Sequence, residues 1–181
     1  MSLLSVIALI TGTLGVWLTI KQTIWCWPFA LIAVLTSILE FYNVRLFGDM
    51  ALQIFYFFAG VYGWIYWGKK QSENFQVKRM ELRLIPAIFM VTLLQSILYY
   101  YLLIYFRGDR PVLDAILTAC SLTTTFMMTK KWVENWLLWV FIDATYIVLY
   151  SLKDMWLFAL LNLVFTIIAF YGWLKWRKEA L

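Results

Sequence analysis

The residues with the clearest potential for chemistry lie between positions 132 and 150, where aromatic side chains and one aspartate recur at helical spacing. They are Trp132, Trp136, Trp139, Asp143, Tyr146 and Tyr150. Steps of four, three, four, three and four residues place them on one face of a helix. A carboxylate and the faces of aromatic rings both attract positive charge. The stripe therefore predicts a binding site for a cationic small molecule.

Asp143 lies about two thirds of the way along this helix, away from both ends. An ionised carboxylate at that depth in a bilayer costs several kcal/mol unless it is paired or hydrated. One interpretation is a counter-ion for the substrate. The other is a structural hydrogen bond to a Thr, Tyr or Asn of a neighbouring helix. The aromatic stripe favours the first.

An enzyme is not expected, because the chain lacks the usual catalytic and metal-binding groups. It contains no histidine, and Cys26 and Cys120 stand alone without a paired spacing. At bilayer depth, only the acids Asp143 and Glu40 remain as candidates, and they fall at different depths. We expect no catalytic residue, no metal and no cofactor. A structural scaffold would need only apolar faces, and the inward stripe argues against that role.

The composition predicts an integral membrane protein. Of 181 residues, 64% are hydrophobic and 14% are charged, and the mean hydropathy is +0.80. A water-soluble core of this size cannot hide so much apolar surface. The excess of basic residues lies in short connections and is interpreted as a topology signal, so nucleic acid is not an expected partner.

Seven apolar segments are long enough to cross a bilayer, which needs about 20 residues each. They are 3–20, 27–44, 48–67, 84–106, 111–128, 132–150 and 154–175. The polar stretch 68–83 is the only plausible linker. With this linker in the cytoplasm, eleven of the fifteen basic residues fall inside and four outside. The N-terminus is then outside and the C-terminus cytoplasmic.

The chain is predicted to be an internal duplication. Tyr62-Gly63-Trp64 returns 109 positions later as Tyr171-Gly172-Trp173, each followed by a tryptophan and a basic pair. The interpretation is an all-α fold of seven transmembrane helices in a 3+1+3 parallel repeat: a first unit at 1–67, the cytoplasmic linker 68–83, a single linking helix at 84–110 and a second unit at 111–181. Such repeats are a transporter architecture with the substrate between the units near the midplane.

Further candidate substrate contacts come from the same offset and from neighbouring helices. Gln53 matches Asn162, and Trp27 matches Trp136. An amide offers both a donor and an acceptor to a hydroxyl-rich ligand, although an interhelical amide bond is the alternative. Thr166, one turn from Asn162, is a further candidate. The second helix contributes Thr36 and Glu40, and the Glu40 carboxylate is expected to be solvated or to line a gate.

Other conspicuous residues are given structural roles. An interfacial aromatic belt is expected to hold Trp64, Trp67, Trp173 and Trp176. Gly12 and Gly15 are expected to allow close packing of the first helix rather than to bind phosphate.

Several motifs together resemble one family, the PnuC nicotinamide riboside transporters. They are Trp25-Cys26-Trp27-Pro28-Phe29, Gly48-Asp49-Met50-Ala51-Leu52-Gln53, Tyr62-Gly63-Trp64, and Asn135-Trp136-Leu137-Leu138-Trp139 with Asp143. The resemblance spans nearly the whole chain. In the family's first-unit motif an Asn usually precedes the tryptophan, where this chain has Cys26.

The resemblance implies a multi-pass protein of the bacterial inner membrane, with a helix arrangement related to that of the SWEET sugar transporters and a homotrimeric assembly. It also implies vitamin uptake by facilitated diffusion, with a cytoplasmic kinase that phosphorylates and traps the substrate. Carried over to this chain, the family's inward motif corresponds to Asn135, Trp136 and Trp139, and its midmembrane amides to Gln53 and Asn162.

The vitamin itself is left open between two ring cations. Nicotinamide riboside is preferred, and thiamine is the alternative, since both suit Asp143 within an aromatic cage. Riboflavin is neutral and fits less well. Phosphorylated forms would bring negative charge to Asp143 and are expected to be rejected.

Overall fold

A computed structural model of the chain is helical over nearly all of its described residues, which are 3–43, 47–70, 75–105, 111–152 and 156–180. These residues form seven α-helices and a short 3-10 helix at Leu82–Leu84, without a β-strand among them. The α-helices are α1 (Leu3–Ile20), α2 (Cys26–Asn43), α3 (Phe47–Lys70), α4 (Ile85–Tyr105), α5 (Pro111–Thr129), α6 (Asn135–Ser151) and α7 (Trp156–Glu179). The expected all-α class with seven helices is confirmed.

Three helix ends differ from the predicted ones by three residues or more. α3 and α7 continue to Lys70 and Glu179, so their basic clusters belong to the last helical turn and not to a loop. Lysine and arginine favour a helix, and cations near its C-terminus interact well with the helix dipole. α6 begins at Asn135 instead of 132, because Lys131 adopts a positive φ of 53° in the preceding turn.

Most of the helices have the length and apolar composition of membrane-spanning helices. Among the described residues, five stretches are long and apolar enough to cross a bilayer: α1, α2, Leu82–Tyr105, α5 and Ala159–Glu179 of α7. α6 is apolar but shorter, with 17 residues. The four basic residues assigned to the outer side by sequence, Arg45, Arg107, Arg110 and Lys153, lie outside the described residues.

The first compact unit spans residues 1–75. In it α2 packs against both α1 and α3. A Cβ atom added to Gly15 would lie 3.3 Å from the backbone nitrogen of Ala30, and one added to Gly12 would lie 3.6 Å from Ala33 Cβ. The expected role of these glycines in close helix packing is confirmed.

The second compact unit spans residues 76–181, and in it α4 packs on α5, α5 on α6 and α6 on α7. A hydroxyl network joins α4 to α5. The Oγ1 atoms of Thr92 and Thr123 are 2.9 Å apart, and Thr123 Oγ1 donates to Gln95 Oε1 at 3.1 Å. α4 has no buried residue of its own, so these bonds add a polar contact to an otherwise peripheral helix.

The same turn geometry occurs in each unit at the 109-residue offset. Gln22 and Lys131 have φ values of 57° and 53°. Gln22 N donates to Thr19 O at 2.9 Å, and Lys131 N donates to Met128 O at 3.0 Å. Equivalent residues thus close the α1–α2 turn and the α5–α6 turn in the same way. The parallel arrangement of the units stays a prediction.

Candidate substrate-binding site

The stripe on α6 lies opposite the exposed face of this helix. Leu137, Phe141 and Val148 are 45%, 58% and 58% exposed and share one face. On the other side, the members of the stripe that follow the first turn are all half-buried: Trp139, Asp143, Tyr146 and Tyr150. The rings of the two tyrosines stack with centroids 5.7 Å apart and an interplanar angle of 19°. The stripe is therefore an aromatic surface that the second unit covers only in part.

Asp143 is the one acidic residue within α6, and it lies on this aromatic surface. Among the described residues its carboxyl group has neither a hydrogen-bond donor nor a salt-bridge partner. The alternative role, a structural hydrogen bond from a Thr, Tyr or Asn of a neighbouring helix to the Asp143 carboxylate, is not observed within those residues. A half-buried carboxylate flanked by Trp139 and Tyr146, one turn to either side, is chemically suited to a cation.

Trp136 does not share the half-buried character of the stripe, because it packs between α6 and α7. It is 2% exposed, and its ring meets Trp176 edge to face with centroids 5.3 Å apart and an interplanar angle of 88°. A Cβ atom added to Gly172 would lie 2.8 Å from the Trp136 ring. The absence of a side chain at Gly172 is what admits the indole.

The first unit repeats this contact with equivalent residues. Trp27 is 1% exposed and meets Trp67 edge to face at 5.5 Å with an interplanar angle of 90°. A Cβ atom added to Gly63 would overlap the six-membered ring of Trp27. We call these two arrangements the tryptophan–glycine contacts.

Near these contacts, three buried polar atoms have no hydrogen-bond partner within the described part of the chain: Trp27 Nε1, Trp136 Nε1 and Asn135 Oδ1. The Asn135 side chain is oriented by its other end, because Nδ2 donates to the carbonyl of Trp132 at 2.6 Å. Only the amide nitrogen can pair with a carbonyl oxygen, so Oδ1 must be the free acceptor. Buried polar groups normally find partners. In the second unit, one acceptor and one donor on successive residues are thus buried without a hydrogen-bond partner among the described residues.

The remaining predicted contacts differ in the hydrogen bonds that their polar groups already make within the protein. Gln53 and Asn162 are half-buried on α3 and α7. Thr166 Oγ1 donates to the backbone carbonyl of Asn162 at 2.8 Å. Thr36 Oγ1 bonds to carbonyls of its own helix, and Glu40 Oε1 accepts from Ser5 Oγ at 3.2 Å. The two threonine hydroxyls are therefore already engaged with the backbone.

The belt assignment was wrong for two of four tryptophans. Trp67 is 3% exposed and Trp176 is 0% exposed, since each packs on the indole of the tryptophan–glycine contact in its unit. Trp64, by contrast, is 43% exposed. An amphipathic ring suits an interface or a core equally well, so residue type alone could not separate these cases.

Sequence reasoning also missed residues that shape the site. Gly63 and Gly172 were seen as repeat markers and not as the positions that make room for Trp27 and Trp136. Their shared offset was the available signal, since a glycine that recurs opposite a recurring tryptophan indicates a close approach. Glu134, which contacts the linker, carried no such signal. Within the described residues, no group of His, Cys, Asp or Glu could hold a metal ion.

Comparison with known proteins places this architecture in a family. Residues 2–178 match the model of the family described as nicotinamide mononucleotide transporter. The chain belongs to this transporter family. The fold agrees, since the crystal structure of the vitamin B3 transporter PnuC superposes with a TM-score of 0.79 at 22% identity and covers 97% of this chain and 81% of that one.

Curated relatives in this transporter family match over almost the whole chain. The nicotinamide riboside transporter PnuC of Escherichia coli strain K12 is 25% identical over 210 residues, which cover 99% of this chain and 87% of that protein. The Shigella flexneri protein of the same name matches equally. The Neisseria mucosa one is 22% identical over 193 residues, covering 98% of this chain and 73% of that protein.

Proposed function

We propose that this protein carries nicotinamide riboside across the bacterial inner membrane. The observation that most supports the proposal is the match of residues 2–178 to a transporter family together with curated relatives named for nicotinamide riboside. The half-buried stripe on α6 is the surface on which we place the substrate.

The chemistry of the riboside fits the groups of the second unit. Its pyridinium ring is a cation, for which Asp143 supplies the opposite charge and Trp139 and Tyr146 supply ring faces. Its carboxamide offers an NH2 group that donates and a carbonyl oxygen that accepts, which complement Asn135 Oδ1 and Trp136 Nε1 respectively. Further contacts within the second unit are proposed for Tyr150 and Asn162, whereas the hydroxyl of Thr166 is already engaged with a backbone carbonyl. The candidates of the first unit stay predictions from the sequence: Trp27, Thr36, Glu40 and Gln53.

The charge distribution favours the riboside over its phosphorylated form. The phosphate of the mononucleotide would bring negative charge close to Asp143, and Arg or Lys side chains would be needed to offset the repulsion. α1, α2, α4, α5 and α6 contain no Lys or Arg at all, and the basic residues of α3 and α7 lie near their C-terminal ends. We therefore propose that the unphosphorylated nucleoside is the species carried.

The finer features of the proposal follow the family resemblance and the charge count. Transport is facilitated diffusion without coupling to ions or ATP, and a cytoplasmic kinase traps the product by adding a phosphate. The N-terminus lies outside and the C-terminus in the cytoplasm. In this orientation eleven basic residues lie on the cytoplasmic side and four on the outer side, as the positive-inside rule requires. The working assembly is a homotrimer.

Uptake into proteoliposomes tests the proposal. Vesicles that contain a riboside kinase and ATP should accumulate labelled nicotinamide riboside, while vesicles without the kinase should only equilibrate. Unlabelled riboside should compete, and its 5′-phosphate should not. Preferential competition by thiamine would support the alternative vitamin, and absence of riboside uptake would refute the proposal.

Substitution of Asp143 tests the site. Interactions with a charged group contribute about 1.5–3 kcal/mol, so Asp143→Asn should raise the KM roughly 10- to 150-fold. Trp139→Ala should also weaken binding, through loss of a ring face. Asp114→Asn, in the first turn of α5, is the matched control and should leave the KM unchanged. Equal KM values for the two Asp→Asn variants would refute the assignment of Asp143.

A further inference from the structure

The segment 76–80, which we call the linker latch, lies against the turn between α5 and α6. Lys78 N donates to Lys131 O at 3.1 Å, and Val133 N donates to Lys78 O at 3.1 Å. These bonds form an isolated parallel bridge between Lys78 and Trp132. Val77 anchors the segment further, since it is only 1% exposed. The linker is therefore docked on the second unit at this turn.

Glu134 adds a side-chain contact to the latch. Its Oε2 accepts a hydrogen bond from the backbone N–H of Met80 at 2.9 Å. Glu134 occupies the N-cap position of α6, yet its side chain makes no capping bond to that helix. In the first unit Trp25 stands at the equivalent position and is 65% exposed. The carboxylate of Glu134 thus serves the linker and not the helix.

The turn held by the latch is the one that orients Asn135. The carbonyl of Trp132 accepts both Asn135 N at 3.2 Å and Asn135 Nδ2 at 2.6 Å. Trp132 is also the bridge residue opposite Lys78, and Glu134 directly precedes Asn135. A shift of this turn would move the Trp132 carbonyl, release the amide of Asn135 and let its free Oδ1 rotate.

We infer that Glu134 is a positioning residue, which acts through the linker latch to hold Asn135 Oδ1 in its binding orientation. This inference rests on the proposed function, in which Asn135 contacts the substrate. Preorganised groups bind more tightly because less conformational freedom is lost on binding. Loss of the latch should consequently weaken substrate binding more than it slows transport at saturation.

Four variants separate contact from charge. Glu134→Ala removes the acceptor, and Glu134→Asp keeps the charge but withdraws the carboxylate by one methylene group, about 1.5 Å. Glu134→Gln loses the charge and retains an oxygen that accepts from Met80 N–H. Glu81→Ala is the matched control, because the carboxylate of Glu81 pairs with Arg83 and is exposed.

Riboside uptake and hydrogen exchange of the full-length protein are measured for each variant. We expect Glu134→Ala and Glu134→Asp to raise the KM three- to tenfold with a maximal rate within twofold of the parent. Amide exchange at Met80 and Asn135 should accelerate in the same two variants. Glu134→Gln and Glu81→Ala should match the parent in both measurements.

The two readouts keep this inference distinct from the proposed function. A parent protein that does not carry riboside would refute the function, whereas exchange at Met80 and Asn135 would still test the latch. Unchanged exchange in Glu134→Ala would overturn the latch. Faster exchange with an unchanged KM would overturn the positioning role, as would failure of Glu134→Gln to restore the KM.

Discussion

Alanine at Gly63 should destabilise the protein, although alanine is the better helix former. The added methyl group would overlap the ring of Trp27. That ring has little room to yield, because it is 1% exposed and its neighbour Trp67, 5.5 Å away, is 3% exposed. Gly172→Ala repeats the experiment in the second unit, with the new Cβ atom 2.8 Å from the ring of Trp136.

The magnitude follows from two opposing effects. Replacing glycine by alanine inside a helix gains about 1 kcal/mol. Overpacking a filled core costs about 1–3 kcal/mol and occasionally more. Because a rigid indole cannot adapt as a flexible chain end would, we expect the upper part of that range and a net loss of about 2 kcal/mol. Gly68→Ala, on the same helix, places its Cβ atom 3.5 Å from Ile24 Cδ1 and should be neutral or stabilising.

Thermal unfolding in detergent, followed by size-exclusion chromatography or tryptophan fluorescence, measures these differences. At about 2–4 °C per kcal/mol, Gly63→Ala should unfold roughly 4–8 °C below the parent. The double variant Gly63→Ala with Trp27→Phe should recover part of the loss, because a smaller ring relieves the overlap. The reasoning fails if Gly63→Ala is as stable as Gly68→Ala, or if Trp27→Phe brings no recovery.

Two further predictions concern polar groups within the bilayer. Thr123→Val should lower the free energy of unfolding by about 0.6–1.7 kcal/mol, because it breaks the bonds to Thr92 and Gln95. Thr125→Val should cost less in the same unfolding assay, because the Thr125 hydroxyl donates to the carbonyl of Ser121 in its own helix. Asn162→Leu should raise the KM for riboside severalfold, whereas Thr166→Val should change it little because that hydroxyl donates to the carbonyl of residue 162. Equal effects within either pair would contradict these assignments.

Helix number and approximate limits followed from the sequence because both depend on local properties. Apolar runs of sufficient length predict membrane helices whatever they pack against. The boundary of α6 was missed because the positive φ of Lys131 comes from a turn without glycine. The ends of α3 and α7 were missed because a basic cluster after an apolar run is compatible with either a loop or a last helical turn.

In the candidate site, too, local features could be predicted from the sequence and contacts between helices could not. The helical spacing of Trp139, Asp143 and Tyr146 was sufficient to place them on one face of α6. Whether a tryptophan meets lipid, ligand or another ring depends on the partner helix, so Trp67 and Trp176 were assigned wrongly.

By itself, the amino-acid sequence determined an all-helical membrane chain with one aromatic and acidic helix face, since hydropathy and periodicity depend on residues that are close together in the sequence. Only the tertiary structure decided that Gly63 and Gly172 admit an indole and that Glu134 holds Met80, 54 positions away. Such contacts depend on the close approach of distant segments, and that approach is set by packing across the whole unit and not by any local pattern.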